Sequence, residues 1–263
     1  MNITLDGSTR LYIIVGDPIA QVKSPSGITA ELQKRGANAL LFPAHVLPSD
    51  LAAWFASMSV MKNLDGIVLT IPHKNASIAF CKTLTPRAEF LQTVNTLKRN
   101  ADGTWYGDAV DGEGHVQAQK NAGFVHSGKR ALLIGAGGAG AAIAYAMVDA
   151  GVGELAIFDY DQGRLESLVA KLTSLGKAKV RKGSQDPSSY DVVVNASPMG
   201  MKPNDPLPID TSKLVATQLV SDVVTLPHLS ALVQAARDVG CSTVTGNEMF
   251  YCVRELVVDF LLN

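Results

Sequence analysis

The stretch ALLIGAGGAGAAIAYAMV, Ala131 to Val148, limits the possible fold more than any other part of the chain. Its 18 residues carry no charge, a length close to that of a bilayer span. Four glycines fall within GAGGAG, however, and they divide the stretch into a short strand, a turn and an amphipathic helix. A strand that leads through a glycine turn straight into a helix is half of a βαβ unit. Such units demand a parallel sheet with helices on its faces.

The same alternation runs along the whole chain. Strand-like runs at LYIIVG, ALLFPAHV and GIVLTI alternate with helical patterns at about 25–35, 49–58 and 74–84. In SPSGITAELQKRG, Ser24 is expected as N-cap, Pro25 as the first helical residue and Gly36 just past the end. A second series comprises KRALLIGAGGAG, ELAIFDYD, DVVVNASPMG and LVSDVV, with helices expected at GRLESLVAKLTSLG and LSALVQAARDVG. Between the two series, GDAVDGEGHVQAQKNAGF is glycine-rich and then helical, a domain crossing. The closing helix, with apolar Phe250, Val253, Val257, Phe260 and Leu261, is expected to pack back on the first domain. The expectation is an α/β protein with residues 1–112 and 241–263 in one domain and 113–240 in the other.

Gly135, Gly137 and Gly140 form G-x-G-x-x-G between the strand at 131–134 and the helix at 141–149. In a dinucleotide site the first glycine permits the tight turn, the second lets the backbone approach a pyrophosphate, and the third packs helix on strand. The helix start adds free N–H groups and a partial positive charge. Gly135, Ala136, Gly137, Gly138, Ala139 and Gly140 are therefore the candidate phosphate loop. Asp159 closes the next strand, where a carboxylate would take the ribose hydroxyls of NAD and repel a 2′-phosphate. No arginine follows at once, Arg164 lying five positions on, so NAD is expected in preference to NADP. Asn195 and Ser197, after DVVV, should border the cofactor; Met199 either packs near the nicotinamide or fills core.

DGIVLTIPHKNAS, Asp65 to Ser77, is a buried strand that meets Pro72, leaves the sheet and presents His73 and Lys74. In an open parallel sheet, ligands collect beyond the carboxyl ends of the strands. Lys74 is then either a solvated residue opening a helix or a functional cation. Adjacent residues point in different directions, which makes His73 a packing residue rather than a second base.

With these features assembled, the chain resembles the shikimate/quinate dehydrogenase family over its whole length. The resemblance rests on GDPIAQVKSP, GIVLTIPHK, VNTL, GDAVDGEG, GAGGAG, NASPMGM and GNEM, in that order. It implies an N-terminal three-layer α/β/α substrate domain with a mainly parallel sheet, completed by the C-terminal helix. It implies also a C-terminal doubly wound Rossmann domain, a cleft between the two, and a place in aromatic amino acid biosynthesis. The reaction implied is reversible hydride transfer between the nicotinamide and a ring hydroxyl or ketone of shikimate, quinate or a related cyclic hydroxy acid.

The family's lysine and aspartate fall on Lys74 and Asp111; its substrate-binding residues fall on Ser24, Thr70 and Asn95; the glycine of GNEM, Gly246, is expected among the cofactor-binding residues. A lysine desolvated in a cleft can be shifted toward neutrality and accept the hydroxyl proton, and Asp111 would orient it. The departures lie at the substrate. Val22 stands for a serine, Val68 for an asparagine, Ala109 and Val110 for an amide and a hydroxyl, Val253 for a glutamine and Thr225 for a tyrosine. The family's serine pair and tyrosine hold the substrate carboxylate, which leaves Gln21 and Thr225 as replacements. A site that loses hydrogen-bonding groups changes its selectivity by orders of magnitude.

Two other readings remain at this stage: a tetrahydrofolate-type dehydrogenase, which shares the layout and a lysine in the cleft, and a non-catalytic regulator that binds a dinucleotide. The 263 residues, 47% hydrophobic and 18% charged with a formal charge of −1, fit a well-buried soluble protein with no basic footprint for nucleic acid or membrane. Cys81, Cys241 and Cys252 lack disulfide or zinc spacing, so no metal and a cytoplasmic setting are expected. MNITLDGSTR does not resemble a secretory signal. A monomer and a homodimer are both compatible.

Overall fold

The computed structural model describes residues 5–263; the first four residues of MNITLDGSTR lie outside the described residues. It falls into two compact units, the first running to Val110 and taking in Arg254–Asn263, the second spanning Asp111–Val253. The division thus comes two residues earlier than 112 on the first side and inside the last helix on the other.

The first unit contains β1 (Arg10–Gly16), α1 (Ser24–Lys34), β2 (Ala39–His45), α2 (Leu51–Ser59), β3 (Leu64–Leu69), β4 (Cys81–Leu84), α3 (Pro86–Leu91), β5 (Thr96–Arg99) and β6 (Trp105–Asp108). These strands form a six-stranded sheet in the order β2-β1-β3-β5-β6-β4. β2, β1 and β3 are parallel, while β5 runs antiparallel to both neighbours. Pro43 lies in β2, tolerated there because that strand is an edge. Ile13, Val15, Ile67, Leu69 and Leu97 fill one face with Phe55 and Trp105.

Two local expectations change. The helix expected over 74–84 is a turn at 71–75, a 3-10 helix at Ala76–Phe80 and then β4, because apolar spacing in so short a run fits strand and helix alike. Ser24 is the first residue of α1, not its cap; Lys23 holds the cap position and no side chain caps it. Gly36 does end the helix, at φ +80°.

The second unit contains α4 (Asp111–Asn121), β7 (Arg130–Ile134), α5 (Gly138–Asp149), β8 (Glu154–Phe158), α6 (Gln162–Thr173), β9 (Lys179–Lys182), β10 (Val192–Asn195), β11 (Leu219–Asp222), α7 (Ala231–Val239) and β12 (Ser242–Val244), with the first part of α8 (Gly246–Leu262), up to Val253. Its sheet has the order β12-β11-β10-β7-β8-β9 and is parallel throughout, a doubly wound topology. The uncharged stretch at 131–148 is β7, the glycine turn and α5, and no described helix is long and apolar enough to cross a membrane. The last residues of α8 belong to the first unit, where Leu261 meets Gly66 of β3 and the Phe260 ring lies 5.3 Å from that of Tyr106.

Candidate active site

In the first unit, β3 ends at Leu69 and the next residues are held by backbone bonds from three directions. The Thr70 N–H donates to Val15 O (3.0 Å), the Leu69 N–H to Asn95 O (2.8 Å) and the Val94 N–H to Lys74 O (3.1 Å). Thr70, Lys74 and Asn95 are thereby gathered beyond the carboxyl end of β3, with Thr70 and Lys74 half-buried. Gly16 at the end of β1 is required there, since a Cβ on it would lie 2.3 Å from the Thr70 methyl. His73 is 1% exposed, and its Nε2 lies 2.7 Å from Val46 O, a packing role. The Asn95 side chain is buried, and its Oδ1 accepts from the Val110 N–H at 3.0 Å.

Asp108 was not singled out by the sequence, although it is the second residue of GDAVDGEG. It is 1% exposed and accepts from Arg87 Nε (2.7 Å), Thr85 Oγ1 (2.5 Å) and the Ala109 N–H (2.7 Å). Asp108 and Asn95 together fix residues 109–110, the end of the first unit. Ser24 is half-buried at the start of α1, and exposed Gln21 donates to Pro18 O at 2.8 Å. Val68, Ala109 and Val110 are buried core residues, so these positions supply packing where the family has polar groups. Val22 is half-buried.

In the second unit, Asp111 opens α4 and is half-buried. Val253 packs against Gly114 of the same helix, and Thr225 is half-buried after β11. The glycine loop has two kinds of position. Gly135 has φ +106°, and a Cβ on Gly140 would lie 1.9 Å from Gly135 O, so both are fixed by the fold. A Cβ on Gly137 or Gly138 would meet nothing within 4 Å. α5 begins at Gly138 rather than 141, its Gly137 cap offers no side-chain acceptor, and its first turn has no acid. These bare helix-start N–H groups and the open glycine surface fit a pyrophosphate. Gly246 opens α8 against Val223 O and Val224 O, too close for any Cβ.

Asp159 Oδ2 accepts from the Ala136 N–H (2.6 Å) and Oδ1 from the Asp161 N–H (2.8 Å), so the carboxylate braces the loop. Arg164 pairs with Asp161 at 2.8 Å and is also raised in pKa by Asp159. Asn195 is fully buried; its Nδ2 donates to Met199 O (3.0 Å), and its Oδ1 accepts from Ser197 Oγ (2.6 Å) and the Ser197 N–H (3.1 Å). Asn195, Ser197 and Met199 thus build a turn beside the loop. Ala136 and Ala139 lie within the loop and α5's first turn.

Comparison with known proteins places these features in a family. Residues 14–97 match the model of the shikimate dehydrogenase substrate binding domain. The chain is 35% identical over 250 residues to the shikimate dehydrogenase (NADP(+)) of Rubrobacter xylanophilus, covering 93% of this chain and 88% of the relative. Among solved structures, shikimate 5-dehydrogenase from Listeria monocytogenes, in complex with shikimate and NAD, aligns with TM-score 0.89 and 27% identity, covering 99% and 98% of the two chains. The ligand-free 5-ketofructose reductase of a Gluconobacter strain aligns with TM-score 0.90 and 25% identity, covering 97% and 93%.

The expectation of NAD over NADP is corrected by these relatives. Three further curated relatives carry the same name as the first, shikimate dehydrogenase (NADP(+)). The physical reason is that a strand-end carboxylate does not by itself fix the cofactor: Asp159 is tied to the loop backbone, and Arg164 is paired with Asp161.

Proposed function

The chain belongs to the shikimate dehydrogenase family, a dehydrogenase acting on a CH–OH group, and from that premise we propose NADP(H)-dependent interconversion of shikimate and its ring ketone. The observation that carries this reading is the gathering of Thr70, Lys74 and Asn95 at the end of β3, inside the segment that matches the substrate-binding model. Lys74 takes the hydroxyl proton in the oxidative direction and returns it in the reverse one. Asp111 is the second catalytic group, Thr70 and Asn95 address the substrate, and Ser24, Gln21 and Thr225 complete its polar contacts. The dinucleotide, when bound, supplies the hydride acceptor or donor; the loop at 135–140 holds its phosphates, and Asp159 with the 195–199 turn shapes the rest of its seat.

The test is turnover of purified K74A and D111A. Each is expected to lose about 10²–10⁴-fold in kcat, the range of a general acid–base contribution, with a smaller change in substrate KM. Undiminished turnover of K74A on the best substrate would overturn the assignment. A second reading, a reductase of a non-carboxylate polyol ketone, is favoured by buried Val68 and Val110 and by the likeness to 5-ketofructose reductase. A panel of shikimate, quinate and 5-ketofructose with both dinucleotides separates the two; the substrate with the highest kcat/KM decides.

A further inference from the structure

Asp222, the last residue of β11, is a carboxylate with 1% exposure, and its hydrogen-bond partners are neutral donors. Oδ1 accepts from Asn195 Nδ2 (3.0 Å) and the Val224 N–H (3.0 Å), and Oδ2 from Ser230 Oγ (2.6 Å). Burying a carboxylate is unfavourable, and three donors converging on it suit the ionised form. Such a group needs an explanation beyond packing. What it holds is Asn195, at the end of the adjacent strand β10. The remaining hydrogen-bonding capacity of Asn195 goes to Ser197 and Met199, and Ser197 Oγ in turn accepts from the Met199 N–H at 3.3 Å.

This turn stands at a particular place. The strand order reverses between β7 and β10, and the crevice beyond that reversal is where open α/β sheets bind ligands. The Ala196 N–H donates to Ile134 O (2.7 Å), and Ala196 O would lie 2.8 Å from a Cβ on Gly135. The turn and the glycine loop therefore share one wall.

We propose that Asp222 is a positioning residue which, through Asn195, sets the Ser197–Met199 turn against the glycine loop and so fixes the seat of the dinucleotide. The proposal rests on the dinucleotide reading above. It requires no contact between Asp222 and the ligand: the chain is Asp222 to Asn195 to the turn.

The experiment titrates NADPH fluorescence into wild type, D222N, S197A and the double variant, well below their melting temperatures, alongside amide hydrogen exchange at Ser197 and Met199. D222N removes the charge and one acceptor; S197A removes the hydroxyl that bonds Asn195 Oδ1 and the Met199 N–H, and leaves Asp222 with its partners. Each single variant is expected to weaken NADPH about tenfold, D222N also speeding exchange at both amides. The double variant should be no worse than the poorer single one, since both act on one chain of bonds. Wild-type affinity in D222N, or effects that multiply in the double variant, would overturn the proposal. S230A, which removes only one donor to Asp222, is expected to shift affinity in the same direction by a few-fold and serves if D222N does not fold; unchanged affinity in S230A would then count against the proposal. A wild-type chain that fails to bind NADPH would overturn the dinucleotide reading and this proposal with it, whereas failure on shikimate alone leaves both standing.

Discussion

Gly137 and Gly140 belong to the same loop and the same motif, yet they answer to different constraints. At Gly140 the obstacle is internal, because a Cβ would be driven into the carbonyl of Gly135. At Gly137 the backbone is ordinary, φ −74°, and the space beyond is open. G140A is therefore expected to destabilise the fold by about 2 kcal/mol or more, the scale of a forced overpacking. G137A should keep its denaturation midpoint and lose dinucleotide affinity at least about tenfold, because its methyl occupies the approach to the pyrophosphate. Urea melts and NADPH titrations of the two variants check this; a G137A that binds as wild type would remove the loop from the cofactor site. The same scale shows why Asp159 misled a reading by residue type. A carboxylate at a strand end has the right chemistry for a ribose, but only the fold shows that both its oxygens also brace the loop backbone.

At the scale of elements, the segment leading to Asp111 is held by a pair the sequence does not announce. Arg87 of α3 makes a two-pronged contact with Asp108 at the end of β6, and Asp108 is 1% exposed. Removing one partner of a buried pair leaves an uncompensated charge, a loss of about 3–5 kcal/mol. Because the Arg87 side chain is 28% exposed and Asp108 keeps the Thr85 and Ala109 donors, R87M is expected to fall at or below the low end of that range by chemical denaturation, whereas R87M/D108N should recover part of the loss. Equal losses in both would show that the pair is not the source. Elements also account for what could not be read. β4 and β5 span four residues each, and β5 pairs antiparallel with β3 and β6. Such short runs have no periodicity of their own and exist as strands only because neighbours complete their hydrogen bonds. β7 with its glycine turn and α5 is the opposite case, legible because strand, turn and helix each carry a local signal.

At the scale of the whole molecule, one buried polar chain makes stability depend on pH. His126 Nε2 lies 2.7 Å from Gln119 Oε1, Gln119 Nε2 donates to Ser221 Oγ at 2.9 Å, and His115 Nε2 is 2.9 Å from the same oxygen, with Nδ1 3.3 Å from Met249 Sδ. The chain ties α4 to β11 and α8, with both histidines neutral. Burial pushes the His115 pKa down to about 3 and the His126 pKa to about 4, the latter aided by the Lys120 charge. The unfolded chain takes up these protons near pH 6.5 and the native one does not. Stability is therefore full above about pH 6.5 and is lost as the pH falls, by up to about 1.4 kcal/mol per pH unit for each histidine. Urea midpoints should fall between pH 7 and 5, and H126Q should flatten part of that slope. An unchanged slope would place the pH dependence elsewhere.

By itself the sequence determined those features in which neighbouring residues carry the whole signal. These are the α/β alternation, the strand-turn-helix at 131–149, the end of α1 at Gly36, and the ordered landmarks that carry the family resemblance. Tertiary structure decided which polar groups are available. It buried Asn195 and Asp222, tied Asp159 to the glycine loop, placed Lys74 on a turn rather than a helix, and packed Val68 and Val110 into the core. The reason is physical: a strand or helix propensity acts over a few residues, whereas the hydrogen-bond partners of a carboxylate or amide come from elements far away in the chain.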